Sequence, residues 1–276
     1  MPTATNTLID THCHLDFSEF DQDRDQVIKQ AAASGVTTII VPAVTQATWP
    51  RTIETCRTQT GQHGVRLLLA LGMHPMFIEQ HQPQHLTELD QVIEQHQPIA
   101  VGEIGLDFYS TDADHDKQTA YFTKQLIIAK RHDLPVIIHN RKAHDQCISL
   151  LREHQPRGGI VHAFNGSLQQ AEKYIEMRFL LGFGGMLTFE RSRKLRALAE
   201  ALPLQSIVLE TDAPDMTVSQ HRGERNSPEY LPYVMEALAE IKNMAASQVA
   251  ETSCQNVLRV FGVDEHKHRA NPEQTE

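Results

Sequence analysis

His12 and His14 stand one residue apart, just after the apolar run that begins at Leu8. On an extended strand residues i and i+2 point to the same face, so two imidazoles at this spacing converge. Neutral imidazole is a common ligand of divalent metals, and a converging pair supplies half of a coordination shell. The string is short for a chain with 16 histidines, and His266-Lys267-His268 repeats it where no strand is expected. Its meaning depends on which other donors the fold brings to the same place. Candidates are Glu103 after Val101-Gly102, His139 after Val136-Ile137-Ile138, His162 after Gly159-Ile160-Val161, and Asp212 shortly after Val208-Leu209. Each alone could be a satisfied core histidine or a paired acid. Together they form a borderline donor set suited to Zn²⁺, Mn²⁺ or a related divalent ion. Six donors exceed what one open catalytic site needs, so two ions bridged by a carboxylate are the natural count.

What must position these donors is a repeating unit. Short aliphatic or β-branched runs at 7–12, 36–41, 65–71, 99–102, 135–139, 159–162, 179–184 and 206–210 predict eight strands. Helix-like segments fill the intervals, and another helix starts at Asn226-Ser227-Pro228, a capping side chain ahead of a first-turn proline. Phe122, Leu126 and Ala129, and likewise Leu231, Val234, Met235 and Leu238, fall on single helical faces. A last helix carries Ala250, Cys254, Val257, Leu258 and Phe261 on one stripe. Strands alternating with helices and no intervening linker predict an α/β fold, a single (β/α)8 TIM barrel over residues 1–263. Such barrels build their sites at the C-terminal ends of the strands, where this reading places all six donors. The first strand is not followed by the glycine-rich turn of a dinucleotide-binding sheet. Residues 80–98, with His81, His85 and His96, read as a solvated helix face, and 264–276 as a polar, disordered tail.

Composition excludes some roles. With 25 Lys+Arg against 35 Asp+Glu, the formal charge of −10 is the wrong sign for a non-specific duplex-DNA binder. A local cationic pocket or a metal centre remains compatible with it. Cys13, Cys56, Cys147 and Cys254 are scattered without Cys-x-x-Cys spacing, as expected of reduced thiols in the cytoplasm. No apolar run approaches the ~18 residues of a membrane span, and no export segment is evident. No membrane partner is expected, and the oligomeric state is open, a monomer included.

The motif series LIDTHCHLD at 8–16, GMHP at 72–75, GEIGLDF at 102–108, LPVIIHNR at 134–141, HAFNGS at 162–167 and LETDAP at 209–214 resembles that of the TatD-type metal-dependent deoxyribonucleases, within the amidohydrolase-like barrels. The resemblance runs in order from about residue 7 to 263. It implies that His12, His14, Glu103 and Asp212 hold one divalent ion and that Glu103, His139 and His162 hold a second, Glu103 bridging. Zn, Mn and Mg are the candidate metals. It further implies hydrolysis of phosphodiesters at the ends of single-stranded DNA or an oligonucleotide, with Asp212 and Glu103 catalytic and His74 facing the substrate phosphate. Arg141, two residues after His139, is placed for a bidentate contact to a phosphate oxygen, a surface salt bridge being the alternative. Phe108 and Tyr109 sit where they could stack a base or pack the rim. The chain departs from the pattern at Asn140, Ala163 and Asn165, adds an acid at Asp215, and lacks an arginine after Tyr109. A barrel hydrolase of a small ester, lactone or amide is the alternative, since the same metal pair attacks carbonyls. A non-catalytic metal-binding scaffold is the third reading.

Overall fold

The computed structural model describes residues 7–110 and 112–262; the expected tail at 264–276, with His266 and His268, lies outside them. Strands β1 (Leu8–Asp10), β2 (Val36–Pro42), β3 (Arg66–Leu71), β4 (Ala100–Asp107), β5 (Val136–Arg141), β6 (Gly159–Val161), β7 (Phe179–Phe183) and β8 (Ile207–Leu209) pair in parallel, in sequence order. Helices α1 (Arg24–Ala33), α2 (Trp49–Gln59), α3 (Pro83–His96), α4 (His115–Arg131), α5 (His144–His154), α6 (Leu168–Glu176), α7 (Arg193–Ala201) and α8 (Leu231–Lys242) follow the strands in turn, and α9 (Ala246–Phe261) ends the fold. The last strand meets the first: Thr11 N donates to Leu209 O (3.1 Å), Asp212 N to His12 O (2.8 Å) and His14 N to Ala213 O (2.8 Å). This is the expected (β/α)8 TIM barrel.

Two apolar layers hold it. One residue from each strand (Ile9, Ile40, Ala70, Ala100, Ile137, Ile160, Leu180 and Val208) joins Cys254, Val257 and Phe261 of α9 in a single cluster. The alternate residues, such as Ile39, Val101, Ile138 and Leu181, pack outward against the helices. Since α9 touches β1, β8 and the turn leading into β8, it closes the N-terminal end of the barrel. The opposite end is left for chemistry. All four cysteines are buried thiols, and no helix of the described residues is long and apolar enough to cross a membrane.

The strands differ from expectation where it matters most. The sequence reading ends the fourth strand at Gly102, with Glu103 at its tip; β4 runs on to Asp107 and Glu103 lies inside it. Gly105 is there for contact. A Cβ on it would fall 2.0 Å from the His139 carbonyl oxygen, at a φ of +145° that suits glycine alone. Between Val101 and Ile104 the register against β5 slips, Val101 facing Val136 and Ile104 facing Ile138. Such a bulge re-aims the side chain it carries, here Glu103. His81 also departs: it is buried rather than solvated, and its Nε2 donates to His74 O at 2.9 Å.

Asn256 ties α9 to the barrel, its buried amide donating to Leu204 O (2.9 Å) and Ile207 O (2.8 Å). Replacing it by alanine strands two carbonyls, so Asn256→Ala should lower unfolding free energy by about 2 kcal/mol or more in urea titration. An unchanged midpoint would remove α9 from the closure of the barrel.

Candidate metal centre

Glu103 is 1% exposed and sits at the middle of a ring of histidines. Its two oxygens face different partners. Oε2 lies 3.0 Å from His12 Nε2 and 3.6 Å from His14 Nε2. Oε1 lies 3.1 Å from His139 Nδ1, 3.1 Å from His74 Nε2 and 3.7 Å from His162 Nε2. Asp212 adds its carboxylate, Oδ1 at 3.7 Å from both His12 and His14 and Oδ2 at 3.9 Å from His162 Nε2. All six donors expected from the sequence come together, and His74 joins them. Arg141 does not: it is exposed on the rim, its guanidinium 3.6 Å from the Tyr109 ring centre. Phe108 stacks on His115 at 4.1 Å.

The hydrogen bonds on the far side of each ring set what the near side can do. His14 Nδ1 faces Pro42 O at 3.2 Å. A carbonyl only accepts, so Nδ1 carries the proton and the Nε2 lone pair points inward. His12 Nε2 stands 3.3 Å from it with the two rings at 81°. The His14 lone pair, His12 Nε2 and Glu103 Oε2 thus converge on one point, while Oε2, fully buried, accepts no hydrogen bond of good geometry among the described residues. That arrangement fits a cation. His74 is the opposite case. Its Nδ1 accepts from Met76 N (3.0 Å), so its Nε2 bears the proton and donates to Glu103. It holds the carboxylate in place and has no lone pair left for a metal.

Two carboxylates orient the remaining histidines. Asp107 Oδ2 is 2.9 Å from His139 Nε2, and Glu210 Oε1 is 3.3 Å from His162 Nδ1. Glu210 Oε1 also accepts from Ala163 N at 2.6 Å. Asp10, beneath His12, accepts from His12 N (3.2 Å), Thr211 N (2.9 Å) and Thr211 Oγ1 (2.6 Å), which locks the first strand to the last. Asp212 itself is held at φ 59°, a left-handed conformation rarely adopted outside glycine and asparagine, and common at functional sites.

Burial and neighbours divide the protonation states. Burial, with His162 alongside, holds His12 well below the usual histidine range, and burial brings His14 down to about 4. Both are neutral at pH 7. Burial alone would raise Glu103, but His74, His12 and His162 pull it well below the usual carboxylate range. Burial would lower His162, yet Asp212, Glu210 and Glu103 raise it to about 10. Burial, opposed by His162 and reinforced by Glu103, Glu210 and Asp215, raises Asp212 to about 7. The cluster is a buried anionic centre with neutral donors on one flank.

A family model described as TatD related DNase matches residues 9–262. The chain belongs to the TatD family. The uncharacterized metal-dependent hydrolase YjjV of Escherichia coli K12 is 40% identical over 258 residues, covering 92% of this chain and 98% of that protein. The crystal structure of YjjV superposes with a TM-score of 0.88 at 39% identity, covering 93% of this chain and 98% of that one. The 3'-5' ssDNA/RNA exonuclease TatD of Erwinia tasmaniensis is 28% identical over 263 residues, 93% of this chain and 100% of that protein. As a TatD-family member the chain is a metal-dependent hydrolase.

In this TatD-family site the sequence reading passes over Asp10, Asp107 and Glu210. All three lie in the quoted motifs, and strand alternation could have found them. Asp10 shares a face with His12, Asp107 with Glu103, and Glu210 with Asp212.

Two outcomes follow for metal binding. A Cβ on Gly182 would fall 2.1 Å from Glu210 Oε2. Gly182→Ala should displace Glu210, release His162 and weaken Mn²⁺ binding roughly tenfold by titration; unaltered affinity would remove Glu210 from the support of the site. Because His162 titrates at about 10 in the metal-free chain, it is protonated at pH 8 and must lose that proton to become a ligand. Mn²⁺ uptake at pH 8 should release about one proton, read by calorimetry in buffers of different ionisation enthalpy, and affinity should rise with pH up to about 10. Binding without proton release would contradict His162 as a ligand.

Proposed function

We propose that the protein is a two-metal phosphodiesterase that removes nucleotides from the ends of single-stranded DNA or oligonucleotides. His12, His14, Glu103 and Asp212 would hold one divalent ion, and Glu103, His139 and His162 the other. The observation that carries this reading is the division of Glu103: one oxygen faces His12 and His14, the other His139 and His162. A bound pair of such ions lowers the pKa of water and neutralises charge on the attacked ester.

The chain's own groups supply the rest. Asp212, ionised above about pH 7, stands beside the cluster and takes the proton of the attacking water. His74 presents Nε2–H to Glu103 and keeps that carboxylate from turning. Of the exposed large apolar side chains, Met76, Tyr109 and Met216 follow β3, β4 and β8 at the open end of the barrel. They offer surfaces on which bases can rest, and Arg141 over Tyr109 offers a bidentate donor to phosphate. The printed activity of the Erwinia tasmaniensis relative supports the same substrate class.

The test is digestion of an end-labelled single-stranded oligonucleotide with Mg²⁺ or Mn²⁺, alongside lactones and acyl-amides. Wild type should release nucleotides, and Glu103→Ala and Asp212→Ala should each slow release by roughly two orders of magnitude or more. Full activity in both variants, or turnover of the carbonyl substrates alone, would overturn the reading.

A further inference from the structure

A pocket of about 850 Å³ opens beside the cluster, bordered by His139, His162 and Asp212. Small-molecule sites span roughly 300–1,000 Å³, so the space accommodates more than the reacting phosphate. Its floor is apolar, built from the buried Phe164 and Phe183 with Met186, Leu195 and the exposed Met216. Another wall is the segment that enters α7, bearing Arg191, Arg193 and Lys194. Asp212 is the sole carboxylate among the lining residues.

That wall is cationic. All three cations are exposed, and among the described residues none has a carboxylate within ion-pair distance. Several arginines elsewhere are paired, as with Arg24 and Asp21, Arg57 and Glu54, Arg131 and Asp90, and Arg225 and Asp23. A protein of net charge −10 places three cations without ion pairs beside a pocket whose lining carries a single carboxylate. Low-dielectric walls focus such a field, and guanidinium forks match phosphate oxygens.

We propose that Arg191, Arg193 and Lys194 form a second phosphate subsite. With one phosphate of the substrate at the metal cluster and its nucleoside over the apolar floor, these side chains take the phosphate on the other side of that nucleoside. The assignment rests on the phosphodiesterase reading above and adds a specificity determinant to it. Substrates whose terminal nucleoside carries a further phosphate bind better than those ending in a bare hydroxyl.

The probes are deoxyadenosine 5′-monophosphate and deoxyadenosine 3′,5′-bisphosphate, titrated calorimetrically into the full-length Mn²⁺-loaded protein. The bisphosphate should bind about tenfold tighter or better. A variant carrying Arg191→Ala, Arg193→Ala and Lys194→Ala should lose that margin, hold the monophosphate affinity within about twofold, and melt as wild type does. Equal affinities in the wild type, or a margin that survives in the variant, would overturn the subsite. The titration reads binding and not cleavage, so the two claims fail separately. A protein that shows the margin yet cuts no oligonucleotide keeps the subsite and loses the nuclease; one that cuts without the margin does the reverse.

Discussion

A carboxylate removed from water is stable as an anion only when other charges or donors replace the solvent. Glu103 meets that condition through five imidazoles, His12, His14, His74, His139 and His162, all within 4 Å of it. The imidazoles are themselves buried, so each resists protonation unless a second acid stands behind it. His139 and His162 have such acids in Asp107 and Glu210; His12 and His14 have none and stay neutral. The centre is therefore asymmetric before any cation arrives. One flank offers neutral imidazoles, and the other must give up a proton.

The rest of the fold serves that placement. The bulge in β4 swings Glu103 towards the barrel axis, and Gly105 lets β5 close on it so that His139 can reach the same carboxylate. Asp10 ties the turn after β8 to the end of β1, bringing Asp212 against His12 and His14. Gly182 leaves room for Glu210 behind His162. At the opposite end α9 seals the apolar interior, so the polar cluster does not compete with the core that holds the strands together.

Much of this is legible in the sequence. Strand–helix alternation gives the barrel, and histidines and acids recurring at strand ends give the six donors. What escapes it depends on contacts across strands. The bulge in β4 and the close approach of Gly102 and Gly105 to β5 have no signal in one strand alone, so the sequence reading ends this strand five residues before the structure does. His74 reads as facing the substrate phosphate; the Met76 N–H that fixes its tautomer and turns it towards Glu103 has no sequence signal. His81 sits in a Gln- and His-rich stretch that looks solvated, and only the packing of the loop after β3 buries it. The cationic wall at 191–194 is unremarkable as sequence, because its meaning comes from the pocket it borders beside the cluster.

The most direct test of the account is anomalous diffraction from crystals of the full-length protein grown with Mn²⁺. Two anomalous peaks are predicted, one between Glu103 and His12–His14 with Asp212, the other between Glu103 and His139–His162. Peaks confined to surface acids, with the Glu103 cluster holding none, would contradict the claim that this buried carboxylate exists to bind metal.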